Sequence, residues 1–245
     1  LEVPVTRENV HAALQAAFSW ARPFAERPGD LQVLVGTNAG RVASQAGMLR
    51  PIATPLAMGG FSAEVAGLIG QAFAGTPFMP VMGAAGAGAA AADEPAALQA
   101  GDALGIDLIN GDLALGATGT VTYVDGSRLY AFGHPFYNLG PTQFPMTRAY
   151  VHTVVPSLAA SAKLASTGRT VGTISQDRAT TVAGLLGTGP DLIPIRLTLE
   201  NERGLKKDFA INVVHDQMFT PLLTYLAIYD TLGSYERENG TASYE

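Results

Sequence analysis

The sequence contains no cysteine and has few charged residues. Without cysteine the chain forms no disulfide, offers no thiolate nucleophile and binds no zinc through sulfur. Charged residues make up 15% of the 245 residues and hydrophobic residues 47%, so the chain has ample material for a buried core. This composition indicates a globular protein.

Basic residues are scarce as well. There are 15 Lys and Arg against 21 Asp and Glu, which gives a formal net charge of −6, and the basic residues form no cluster. We therefore expect no nucleic-acid partner, because there is no positive field for a phosphate backbone. No run of about 18 uncharged apolar residues occurs, so no membrane span is predicted. The first residues, "LEVPVTRENVHAALQ", lack the basic start and apolar centre of a signal peptide.

The usual marks of several catalytic classes are also missing. No two histidines stand at metal-ligand spacing and no dinucleotide fingerprint occurs, so we predict neither a metal nor a cofactor. The sequence has no Gly-x-Ser-x-Gly elbow and no Ser-x-x-Lys. Ser62, in "GGFSAE", precedes a helical pattern and is predicted to be a helix N-cap. Asp102, Asp107 and Asp112 recur every five residues and are predicted to lie in turns and at strand ends.

The pattern of predicted secondary structure changes near residue 100. A helix is predicted from Thr6 to Pro23, a strand in "LQVLVGT" and a second helix after Ser62. We expect an α+β, mainly β fold with four regions: a helix-strand-helix α/β region over 1–82, a Gly/Ala-rich linker over 83–100, a small β-barrel region over 101–216, and a C-terminal helix and tail over 217–245.

Strand signals dominate the region 101–216. "TGTVTYV" and "RLYAF" flank "DGS", and Asp-Gly between β-prone runs predicts a tight hairpin over 118–132. Alternating apolar residues over 193–199 and 209–213 predict a second hairpin. Short strands are predicted near "TVGTIS" and "TTVAGLLG", and a short helix over 156–165. Thr220 followed by Pro221 predicts the start of a helix that ends at Gly233.

The first hairpin leads into "YAFGHPFYNLGP", which places His134 between a glycine and a proline. A histidine at the end of a rigid strand, with a turn after it, is suited to the general base of a serine hydrolase. The alternative is a histidine that only packs in the corner. His11, His152 and His215 are predicted to have structural roles.

Two stretches together resemble a known family. "GATGTVTYVDGSRLYAFGHPF" (116–136) and "LASTGRTVGTISQDRATTVAGLLG" (164–187) look like the histidine-bearing part of the SpoIVB-type serine peptidases, the sporulation stage IV B family. The resemblance covers roughly residues 100–215. It implies a chymotrypsin-like arrangement of β-barrels, a bacterial and extracytoplasmic protein, and His134 as the catalytic histidine. It identifies no third catalytic residue, although Asp125 and Asp177 are nearby in the sequence.

The sequence departs from the family at the nucleophile. The family's serine stands in a Gly-Met-Ser-Gly-Ser-Pro segment, and this chain has none. Longer bacterial relatives carry that segment upstream, so we expect this chain to be part of a larger polypeptide and to be inactive alone. Two functions stay open at this point: a serine endopeptidase part whose partner is the upstream serine-bearing segment or a protein substrate, and a non-catalytic β-module for binding or assembly. The oligomeric state is not predicted.

Overall fold

The computed structural model describes residues 54–74, 76, 78–82, 97–155, 162–200 and 206–235. The helix predicted from Thr6 to Pro23, the strand in "LQVLVGT", His11 and most of the Gly/Ala-rich run lie outside these residues. The described part is mostly β-sheet with two helices, as the sequence predicts. No helix in the described part is long and apolar enough to span a membrane.

The described residues form ten strands and two helices in a single sheet system. In chain order they are β1 (Thr54–Gly59), α1 (Ala63–Ala72), β2 (Phe78–Met82), β3 (Ala103–Gly111), β4 (Ala114–Asp125), β5 (Arg128–Ala131), β6 (Gly140–Val155), β7 (Ala162–Arg178), β8 (Thr181–Leu186), β9 (Leu192–Glu200), β10 (Lys206–Val214) and α2 (Phe219–Tyr235).

The strand order is β2-β1-β4-β5-β8-β7-β6-β3-β10-β9, and β3 also pairs with β4. The pairings β4–β5–β8–β7–β6–β3–β4 therefore close a ring of six strands. The β1–β2 pair is parallel and extends the sheet from β4. The β9–β10 hairpin extends it from β3.

Both predicted hairpins are confirmed. Asp125 and Arg128 form the last pair of β4 and β5, and Gly126 turns the chain with φ 57°, a conformation that favours glycine. In β9 the apolar residues are half-buried and the residues between them are exposed, so the predicted alternation is present. The turn chemistry and the period-2 pattern are local signals, which explains why sequence alone locates these hairpins.

The helix α1 begins where the sequence predicts. The Ser62 hydroxyl oxygen accepts a hydrogen bond from the Val65 N–H at 3.3 Å, so Ser62 is the N-cap. The helix α2 begins at Phe219, so Thr220 lies in its first turn and the prediction that Thr220 caps the helix is wrong; the Asp216 carboxylate accepts the Phe219 N–H at 2.9 Å instead. It continues past Gly233 to Tyr235.

The helix predicted over 156–165 is wrong where the structure describes it, since β7 begins at Ala162. Ala165 pairs with Val151 and Ser166 with Tyr150, so this stretch lies in the long β6–β7 hairpin. The Ala- and Ser-rich composition favours a helix weakly, and cross-strand pairing overrides that local preference.

Candidate functional site

His134 lies at a sharp corner just after β5. Phe132 and Gly133 both have positive φ, 74° and 73°, and a phenylalanine adopts this conformation only when the surroundings enforce it. The Phe132 N–H is held by the Thr120 carbonyl oxygen at 2.9 Å. The corner is therefore fixed by β4, and the His134 side chain leaves the sheet in a defined direction.

The absence of a side chain at Gly119 makes room for this corner. A Cβ atom on Gly119 would lie 2.1 Å from the Phe132 ring, so only glycine allows the ring to lie on β4. The Phe132 ring also contacts the His134 ring, with 5.6 Å between the centroids. Gly119 thus positions His134 through Phe132.

The His134 ring is half-buried, and one of its nitrogens is bound within the corner. Nδ1 lies 2.8 Å from the Pro135 carbonyl oxygen. Because a carbonyl oxygen only accepts, Nδ1 carries the hydrogen in this geometry, and Nε2 of the neutral ring keeps its lone pair. Nε2 makes no hydrogen bond within the described part of the chain, and none of the serines described there bonds the ring. The predicted position of His134, at the end of the first hairpin, agrees with this geometry.

Asp177, on β7, holds the loop that follows His134. Its Oδ1 accepts the Phe136 N–H at 2.7 Å, and its Oδ2 accepts the N–H groups of Tyr137 and Leu139 at 2.7 and 3.1 Å. The side chain is fully buried, and burial raises the pKa of Asp177, while the backbone N–H donors of the loop oppose that shift. Asp125 instead is the last residue of β4, next to the hairpin turn.

An aromatic cluster anchors the same loop from inside the fold. The Phe136 ring is fully buried, and its centroid lies 4.8 Å from that of Phe78, 5.9 Å from Phe144 and 6.5 Å from Phe219. Tyr137 stacks on Phe78 at 5.2 Å. The loop after His134 is therefore fixed by side-chain packing as well as by Asp177, which favours a preorganised site.

The structure also brings together a histidine and a serine that the sequence does not connect. His152 Nε2 lies 3.0 Å from the Ser166 hydroxyl oxygen. A register shift between Val151 and Thr153 places His152 within reach of β7. Ser166 is only 1% exposed, so its hydroxyl is closed to a substrate carbonyl. The pair is a cross-strand hydrogen bond and not a nucleophile with its base.

Asp107 is not the strand-end acid that its spacing predicts. It lies in the middle of β3 and is 4% exposed. Burial raises the pKa of Asp107 to about 7, and hydrogen bonds with Thr167 and Asn110 oppose this increase. The Asp107 Oδ1 atom has no hydrogen-bond partner in the described part. The apolar residues on both sides of Asp107, in "GIDLI", indicate a buried strand. The five-residue spacing of the aspartates is a weaker indication and led to the wrong prediction.

The described residues contain no group of three or more His, Asp or Glu side chains that could hold a metal ion. His215 follows β10 directly and lies at the surface. No family model, curated protein or solved structure matches the chain in comparisons with known proteins.

Proposed function

We propose that residues 101–216 are the histidine-bearing part of a serine endopeptidase, in which His134 is the general base for a serine on another segment. On this proposal the ring of six strands corresponds to a barrel of the chymotrypsin-like arrangement. The proposal depends on the hydrogen bonding of the His134 ring: Nδ1 donates to the Pro135 carbonyl oxygen, and among the described residues Nε2 has no hydrogen-bond partner, which leaves its lone pair for a proton.

This ring state matches what acyl transfer requires of a base. The serine O–H gives its proton to Nε2 while its oxygen forms a bond to the substrate carbonyl carbon. The resulting imidazolium then gives that proton to the leaving amine as the peptide bond breaks. Water repeats the sequence to release the acyl group. Throughout, the Nδ1–H bond to Pro135 keeps the ring in one tautomer.

The alternative, a non-catalytic binding module, is favoured by a separate observation. Tyr123 and Leu185 are 59% and 50% exposed. Tyr123 pairs with Tyr130, and Tyr130 with Ala183, so Tyr123 and Leu185 lie on the same face of β4, β5 and β8. Exposed apolar side chains that share a face are typical of a surface that meets another protein.

Hydrolysis of an unfolded protein substrate such as casein separates the two functions. The enzyme is the full product of the encoding gene, compared as wild type, His134→Ala and His152→Ala. His152 is a matched control because it is a histidine on β6 of the six-stranded ring, and its Nε2 is bonded to the buried Ser166 hydroxyl. We expect His134→Ala to lower kcat/KM by about 100-fold or more, as loss of a general base does, and His152→Ala to leave it within roughly twofold.

Equal hydrolysis by wild type and His134→Ala would contradict the proposal. Absence of hydrolysis by the wild type, together with retained folding, would favour the binding module. Circular dichroism and thermal unfolding of each variant show whether a loss of activity reflects loss of the fold.

A further inference from the structure

The carboxylate of Asp177 reaches His134 through a single peptide group. Asp177 Oδ1 accepts the Phe136 N–H at 2.7 Å, and the His134 Nδ1–H binds the Pro135 carbonyl oxygen at 2.8 Å. That N–H and that carbonyl belong to the same peptide unit, between Pro135 and Phe136. The unit is trans, so the N–H and the C=O point in opposite directions, one toward each side chain.

A peptide group in this position couples its two partners electrostatically. A carboxylate that accepts the N–H polarises the amide, which makes the carbonyl oxygen a stronger acceptor. Hydrogen bonds to an ionised acceptor are also shorter and stronger than neutral ones, in keeping with the 2.7 Å contact. The stronger the Pro135 acceptor, the more it favours the His134 tautomer with hydrogen on Nδ1.

We propose that Asp177 is a positioning residue for His134 and acts on its tautomer and ring orientation through the Pro135–Phe136 peptide. This inference rests on the proposed function, because it assigns a catalytic purpose to the orientation of the ring. The acid fixes the ring in the state in which Nε2 accepts a proton. It also stabilises the imidazolium that forms during proton transfer, since the carbonyl dipole points its negative end at Nδ1.

The arrangement differs from a bond made directly between a carboxylate and an imidazole. Asp177 lies 41 residues from Phe136 in the sequence, and its two oxygens also hold the Tyr137 and Leu139 amides. One carboxylate thus orders the loop and orients the histidine together. A purely structural role would only hold the loop in place, so in a variant whose loop keeps its position the tautomer of His134 would not change, and this difference can be measured.

The tautomer of His134 is read from the ring ¹⁵N chemical shifts of the 245-residue chain. Asp177→Asn keeps the size of the side chain but has a single acceptor oxygen. That oxygen is expected to turn toward the two N–H donors now on Oδ2, which leaves the amide –NH₂ facing the Phe136 N–H. We expect the ratio of the Nδ1–H to the Nε2–H tautomer to fall on the order of threefold, the effect of one weakened hydrogen bond. Asp191→Asn, at an exposed position, is the matched control and leaves the ratio unchanged.

A folded Asp177→Asn variant with the wild-type tautomer ratio would overturn the inference. Should that variant fail to fold, scalar couplings across the hydrogen bonds of the wild type provide the test. The inference requires a coupling between the Phe136 amide nitrogen and the Asp177 carboxyl carbon, and another between His134 Nδ1 and the Pro135 carbonyl carbon. Absence of either coupling also overturns it. These readouts need no activity, so they stand apart from the casein experiment: a tautomer that responds to Asp177 in a protein without hydrolysis would refute only the proposed function.

Discussion

Replacing Asp107 by asparagine should stabilise the protein at high pH and have little effect at low pH. Asp107 is buried in β3, and its pKa in the folded protein is raised to about 7 from the ordinary value of 3.8. The folded state therefore holds the proton over a pH range in which the unfolded state has released it. Stability from this group is fully present below pH 3.8 and is lost as the pH rises toward 7.

The size of the effect follows from the difference between the two pKa values. Between 3.8 and about 7 there are about 3 pH units, and each is equivalent to 1.36 kcal/mol, so ionised Asp107 costs up to about 4 kcal/mol. Asparagine has nearly the same shape and never carries that charge. We expect the free energy of unfolding of Asp107→Asn, relative to wild type, to rise by up to about 4 kcal/mol across this range.

Urea unfolding of both proteins at about pH 4, 6 and 8 measures this difference directly. Subtracting the two curves removes the contribution of the other titrating groups, whose pKa values are common to both proteins. Asp191→Asn is the control, since an exposed carboxylate should give a difference that is flat with pH. A flat difference for Asp107→Asn would contradict this prediction, because it would mean that this carboxylate titrates alike in the folded and unfolded chains.

The remaining predictions concern the corner and the first helix. Gly119→Ala should destabilise the fold by about 1–3 kcal/mol, because the new Cβ atom would collide with the Phe132 ring. It should also shift the NMR signals of the His134 ring, and unchanged signals would contradict the role of Gly119 in positioning His134. Gly70→Ala, whose Cβ meets nothing within 4 Å, should instead stabilise α1 by about 0.5–1 kcal/mol in the same unfolding assay. Ser62→Ala should cost about 1 kcal/mol through loss of the N-cap, and an unchanged unfolding midpoint would show that the cap contributes nothing.

The features that sequence predicts well are those whose cause is local. The turn at Gly126 and the N-cap at Ser62 each depend on residues within a few positions of one another, and both are confirmed. His134 could be singled out because the hairpin ends there. The closure of the strand ring depends on pairings between distant strands, for which a single sequence carries no direct signal.

The role of Asp177 near His134 could not be predicted from the sequence, because it also depends on contacts between distant residues. Asp177 binds backbone N–H groups about 40 residues away. Because nearly every residue has a backbone N–H, the side chains of the residues that bind Asp177 do not indicate this contact in the sequence. Asp177 also contacts His134 only indirectly, through the Pro135–Phe136 peptide group. A search for a carboxylate bonded directly to an imidazole would therefore not find it. Asp107 is different: the apolar residues around it indicate a buried strand, and regular spacing was the weaker signal.

The most direct test of His134 as a general base is to identify the serine that reacts with a fluorophosphonate probe. The probe is applied to the full product of the encoding gene and to its His134→Ala variant, and the labelled peptide is located by mass spectrometry. If His134 is the general base, we expect a labelled serine outside residues 1–245, no labelling of the 245-residue chain alone, and labelling that is slowed about 100-fold or more in His134→Ala. Stoichiometric labelling of a serine within residues 1–245, or labelling that is equally fast without His134, would contradict it.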